Sequence, residues 1–171
     1  MNLTGKYFKK KGGISDLILY IIIIVVIAVV SLVSWKLMKI LDDNFQNNSL
    51  ISSEGKSLSS SLRSRFTSVV DNAFLIVLVG FLLAIVVGAS VINTHPALYW
   101  ISIPILVFLV FWAAIYSNFF TNFYQQGGYT AEINDLSIIK FVMDNYVIFV
   151  MGAVLLVSFV LFAKSRQQTA I

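Results

Sequence analysis

Residues able to carry out chemistry are few in this 171-residue sequence, and they are not grouped as a reaction would need. There is one histidine, His95, and no cysteine. That excludes disulfides, thiolate metal sites and a cysteine nucleophile, and leaves too few imidazoles for a histidine-built metal site. Asp16, Asp71 and Asp144 each stand just ahead of an apolar run. A carboxylate there meets the positive end of a helix dipole, which accounts for Asp71 and Asp144 without a catalytic role. Ser31, Ser90, Ser102 and Ser158 lie inside apolar runs, where a hydroxyl can bond its own helix backbone. No nucleophile–base pair, phosphate-cradling glycine loop or cluster of metal ligands can be assembled, so the expectation is a non-enzyme without a cofactor. The ordered spacing belongs instead to small residues. Gly80, Ala84 and Gly88 recur every four positions, as suits close packing of helices in a membrane. The expected partner is the next apolar helix, with a second copy of the chain as the alternative.

The elements that must position these residues are four long apolar runs, 17–35, 73–92, 97–116 and 146–163. Each has about the length a helix needs to cross a ~30 Å hydrocarbon core at 1.5 Å per residue. The β-branched run from Ile21 to Ile27 would favour a strand in water, but a backbone in lipid must satisfy its own hydrogen bonds. With 58% hydrophobic residues and mean hydropathy of +0.89, the reading is an all-α integral membrane protein forming a single four-span domain.

The connections differ in character. Residues 36–72 form the longest polar piece, with a turn-like, solvated front half through Asp42-Asp43-Asn44 and Asn47-Asn48-Ser49. In its back half Leu58, Leu62, Phe66, Val69 and Val70 recur at helical spacing, while Lys56, Arg63 and Arg65 lie off that stripe. This predicts one long second helix over about 57–92, roughly 54 Å in length, extending beyond the hydrocarbon. Asn93-Thr94-His95-Pro96 is a short connection that makes the second and third spans a tight antiparallel hairpin. In it His95 is a polar loop residue, and Pro96 suits the first helical turn. The third connection, 117–145, is rich in interfacial aromatics and broken by a turn at Gln125-Gln126-Gly127-Gly128. After that turn Ile133, Leu136, Ile139 and Met143 form a helical stripe, with Glu132, Asp135 and Lys140 off it. The prediction is a short interfacial helix running into the fourth span.

The net charge of +4 is spread over span ends. Lys9, Lys10, Lys11, Arg63, Arg65, Lys164 and Arg166 are the candidates for contact with lipid headgroups or a partner. Contact of the N-terminal tail with a packaged nucleic acid is the sharper alternative for the lysine run. Positive charges are shared six against six between the two membrane faces, so they set no orientation. No charge lies deep in a span, which argues against a small-molecule transporter.

From Asn93 onward the sequence resembles a group of small membrane proteins of tailless icosahedral viruses with an internal lipid membrane. The resemblance rests on Asn93-Thr94-His95-Pro96, Ile101-Ser102-Ile103, Tyr116-Ser117-Asn118-Phe119, the segment Leu136-Ser137-Ile138-Ile139-Lys140-Phe141-Val142-Met143-Asp144-Asn145, and Lys164. It implies a non-enzymatic structural protein of the virion's internal membrane, resident in the host cytoplasmic membrane before assembly. It implies as partners the lipid bilayer, capsid or vertex proteins, and other membrane proteins of the particle. A homo-oligomer is compatible with the Gly80, Ala84 and Gly88 spacing. The alternatives are a holin-like pore former and an accessory subunit of a cellular membrane complex.

Overall fold

The computed structural model describes the backbone at residues 14–91 and 96–169, and side chains at 18–90 and 103–164. Six helices follow in order: α1 (Ile14–Asn47), α2 (Ser53–Val91), α3 (Pro96–Gln126), α4 (Thr130–Asp135), α5 (Ser137–Asp144) and α6 (Tyr146–Thr169). There is no strand among the described residues. Four helices, α1, α2, α3 and α6, are long and apolar enough to cross a membrane. The isoleucine and valine run lies within α1, because backbone satisfaction outweighs β-propensity.

α1 and α2 are longer than the apolar runs inside them. α1 continues through Asp42, Asp43 and Asn44 to Asn47, where a solvated turn was expected. The turn is confined to 48–52, in which Asn48 Oδ1 accepts the Leu50 N–H at 2.9 Å. α2 begins at Ser53, four residues before the predicted start, because Ser52 is its cap. The Ser52 hydroxyl accepts the Gly55 N–H at 3.2 Å, and its carbonyl accepts the Lys56 N–H at 3.1 Å. The two helices run antiparallel in a constant register. Facing residues have numbers adding to 101: Tyr20 with Phe81, Trp35 with Phe66, and Asp42 with Ser59.

Around the bundle the order is α1, α2, α6, α3, with α1 packed on α2 and α3, and α6 packed on the same two. α2 and α3 are joined through 92–95, outside the described residues. They run antiparallel, but not as the tight hairpin that the short connection predicts: among the described residues they stand diagonally across the bundle, and α1 and α6 each pack between them. α3 begins at Pro96, as the proline predicts, and continues through Pro104. The core runs the length of the bundle through Ala28, Leu32, Leu109, Ala113, Phe120 and Tyr146, all essentially inaccessible.

The N-terminal end of α6 lies lower than the collar-side ends of the other three long helices, Asn47, Ser53 and Gln126, and α4 and α5 occupy the corner above it. Two short helices therefore stand where one was predicted, separated at Leu136. The predicted stripe of Ile133, Leu136, Ile139 and Met143 is fully buried. α3 ends in a left-handed turn at Gly128 (φ 67°), with the Tyr129 N–H bonded to the Tyr124 carbonyl at 2.9 Å. At Gly127 the chain passes so close to itself that a Cβ would lie 2.6 Å from the Phe123 carbonyl oxygen.

Candidate functional site

The ion pairs that join helices gather, among the described residues, in two places, both at the end of the bundle that carries α4 and α5. The first is the α1–α2 hairpin above the apolar runs. Asp42, 3% exposed, is bonded by the Ser59 hydroxyl at 2.7 Å, by Arg63 at 2.9 Å and by the Gln46 amide at 3.2 Å. Arg63 also reaches Asp43 at 3.1 Å, and Gln46 spans to the Lys56 carbonyl at 2.9 Å. Each bond crosses between the helices or braces a group that does, so the network stiffens the hairpin. A buried carboxylate with this many donors has its desolvation offset, whereas a lone one would not.

The second place is the collar that α4 and α5 form around α1 and α2. Lys39 pairs with Asp135 at 2.6 Å and approaches Glu132 at 4.0 Å. The Trp35 indole N–H donates to Asp135 at 3.0 Å, and the Trp35 ring stacks on Phe66. The Lys39 ammonium holds the Asp135 carboxyl below the usual carboxylate range, helped by Trp35 and opposed by burial. Lys36 donates to the Gly128 carbonyl at 3.1 Å and lies 4.2 Å from the centre of the Tyr129 ring.

Below this, Asp71 joins the collar to α2. Its oxygens accept the backbone N–H groups of Ile138 and Ile139 at 3.1 and 3.2 Å. Sequence reasoning placed Asp71 at the start of its own helix. It lies well inside α2 and caps α5, whose own cap position holds Leu136, a residue without a side-chain acceptor. Asp144 likewise is not in the first turn of a span. It ends α5 and pairs with Lys140 at 2.8 Å.

The candidate contact residues are placed differently from one another. Arg63 is committed to Asp42 and Asp43, and Lys164 donates to the Ser90 carbonyl at 2.6 Å, near the C-terminal end of α2. Arg65 is exposed. Lys9, Lys10, Lys11 and His95, and the Arg166 side chain, lie outside the described residues. Nothing lies within 4 Å of a Cβ built at Gly80 or Gly88, and Ala84 is exposed, so α3 does not cover this stripe among the described residues. Ser90 bonds its own helix at the Val87 carbonyl, 2.7 Å away.

Sequence reasoning missed Asp42, Ser59 and Gln46, because the tertiary register that joins them leaves no local signal. It also missed Tyr146, whose buried hydroxyl donates to the Ile21 carbonyl at 2.6 Å. Among the described residues no three His, Cys, Asp or Glu side chains gather as a metal site requires. Below Tyr146 is an apolar cavity of about 30 Å³ lined by Tyr20, Leu78, Phe81 and Val150, with the phenols of Tyr20 and Tyr146 as its ionisable groups. The arrangement is suited to holding helices in place at a membrane surface. No protein-family model matches the chain, and neither does any curated protein or solved structure.

Proposed function

We propose that the chain is a structural protein of a lipid-containing virus particle, anchored in the internal membrane and linking it to the capsid. The observation that carries this reading is the α1–α2 hairpin. α2 holds twenty residues, 53–72, ahead of its apolar run. On α1 the residues beyond the apolar run are 36–47, so at 1.5 Å per residue the hairpin rises about 20–30 Å past the hydrocarbon. The Asp42 network and the collar brace it as a spacer, and its turn, 48–52, presents Asn48, Ser49 and the 92% exposed Leu50 at a tip suited to a protein layer. The resemblance of the C-terminal half to internal-membrane proteins of icosahedral viruses makes that layer a capsid or vertex protein. On this reading the chain resides in the host cytoplasmic membrane before assembly.

The test is density-gradient sedimentation of particles from the source culture, with mass spectrometry of each fraction. The expected result is cosedimentation with a buoyant particle, lost on detergent extraction. Recovery in cell membranes alone contradicts the proposal and favours the pore former or the accessory subunit.

A further inference from the structure

The hairpin buries its polar side and exposes an apolar one. On α1, Trp35, Asp42 and Gln46 face α2, whereas Lys36 and Lys39 face α4 and the turn before it. At about 100° per residue, Leu37, Leu41 and Phe45 lie on the side of α1 away from α4. On α2, Ser59, Arg63 and Phe66 face α1, and Asp71 faces α5. Leu58, Leu62 and Val69 lie about a quarter turn to the other side. Both stripes therefore share the hairpin face opposite the collar. Their six side chains are 41–65% exposed.

Four of the six, Phe45, Leu41, Leu58 and Leu62, lie about 6 Å or more beyond the apolar runs of both helices, out of reach of lipid tails. Together the six present on the order of 500 Å² of apolar surface, at the upper end of what a monomer carries uncovered. Two such faces would bury on the order of 1,000 Å², about the least that a specific interface needs.

We propose that the occupant of this face is a second copy of the chain, related by a two-fold axis along the membrane normal. The α1–α2 register supports that choice. Phe45, Leu41 and Leu37 stand at the heights of Lys56, Ser60 and Ser64 on α2, from the pairing that places Asp42 beside Ser59. Leu58 and Leu62 thus fall midway between them, about 3 Å from each level. Two copies share one bilayer and hence one height. When their hairpins meet face to face, α1 of each lies against α2 of the other. Leu58 then enters between Phe45 and Leu41 of the other copy, and Leu62 between Leu41 and Leu37. The result is a four-helix bundle with antiparallel neighbours, packed ridge into groove. Lower on the same face, Gly80 lies five helical turns after Leu62, with nothing within 4 Å of a Cβ there. A close approach between copies continues there into the membrane. The proposal is independent of the virion reading, because it uses only the register and exposure of the hairpin.

The chain has no cysteine, so introduced ones are unique. The full chain carrying Leu41→Cys and the full chain carrying Leu62→Cys, with tags of different length, are mixed in vesicles and oxidised. The expected result is a mixed disulfide at least ten-fold above that of Leu41→Cys with Asn134→Cys, whose second position is exposed on the collar side. Equal yields overturn the proposal, including when a soluble partner covers the face instead. Light scattering in mild detergent adds a second readout. The unaltered chain should be dimeric and Leu62→Asp monomeric with its helix content unchanged. A monomeric unaltered chain overturns the proposal.

Discussion

Asp71 and Ile139 are joined by a hydrogen bond of 3.2 Å that crosses 68 positions of sequence and fixes a short helix to a long one. With the second bond to Ile138, the carboxylate satisfies two of the N–H groups that the first turn of α5 leaves unpaired. Asp71 is 7% exposed, so no water replaces it readily. Asp71→Ala should cost about 2 kcal/mol, from a lost cap and two donors left in a buried place. Asp71→Asn keeps one acceptor and should cost about half as much. Reversible unfolding in detergent measures both, with limited proteolysis showing cleavage appearing first across 130–145. Equal stability of all three proteins would contradict the capping role.

The Asp42 network makes a regional prediction. Asp42→Ala removes the acceptor shared by Ser59, Gln46 and Arg63. Hydrogen exchange should rise over 42–63 and stay unchanged over 74–90, because the apolar part of α2 is held by α1 and α6 independently. A uniform rise along α2 would mean that the network supports the whole bundle.

The four spans were legible in the sequence because their length and apolarity are local properties. The Ile133, Leu136, Ile139 and Met143 face was legible for the same reason, as helical periodicity. Asp42, Asp43 and Asn44 were not legible as helix. They are turn-formers by propensity, and the bonds from Ser59 and Arg63 across the hairpin favour their place in α1. In α2 the periodicity of Leu58 and Leu62 identified a helix but not its partner, since the polar face at Ser59 and Arg63 is the one packed on α1. Asp71 misled for a similar reason. Its position before an apolar run suggested a helix start, and nothing local could reveal a second helix whose cap it supplies.

Acid should loosen the collar. Lys39 holds the Asp135 carboxyl below the usual range, and its pairing is lost in the unfolded chain. A depressed pKa contributes stability above the unfolded value, about 3.9 for an aspartate. That stability is lost as pH falls from there through the lower folded value. In a chain whose Trp100 and Trp112 are replaced by Phe, Trp35 fluorescence should change below about pH 4. Asp135→Asn should remove that transition, and a transition that persists in the variant would place its origin elsewhere.

Tyr146→Phe tests a bond inside the membrane part. Its hydroxyl donates to the Ile21 carbonyl, which as part of α1 also accepts an intrahelical bond. The loss should be small, about 0.6 kcal/mol, the average for such bonds between membrane helices. A cost above about 2 kcal/mol, read by unfolding in mixed micelles, would show that the hydroxyl anchors more than one helix.

The measurement that tests the central claim most directly is the depth of single spin labels in vesicles, read by collisions with oxygen and with a water-soluble nickel chelate. Labels at Leu50 and Ser61 report the hairpin, and labels at Ile76 and Leu155 report the spans. A hairpin that stands upright above the bilayer gives nickel-accessible signals at Leu50 and Ser61, and oxygen-accessible, nickel-protected signals at Ile76 and Leu155. Oxygen-dominated signals at Leu50 and Ser61 would show the hairpin lying in the bilayer and would contradict the account.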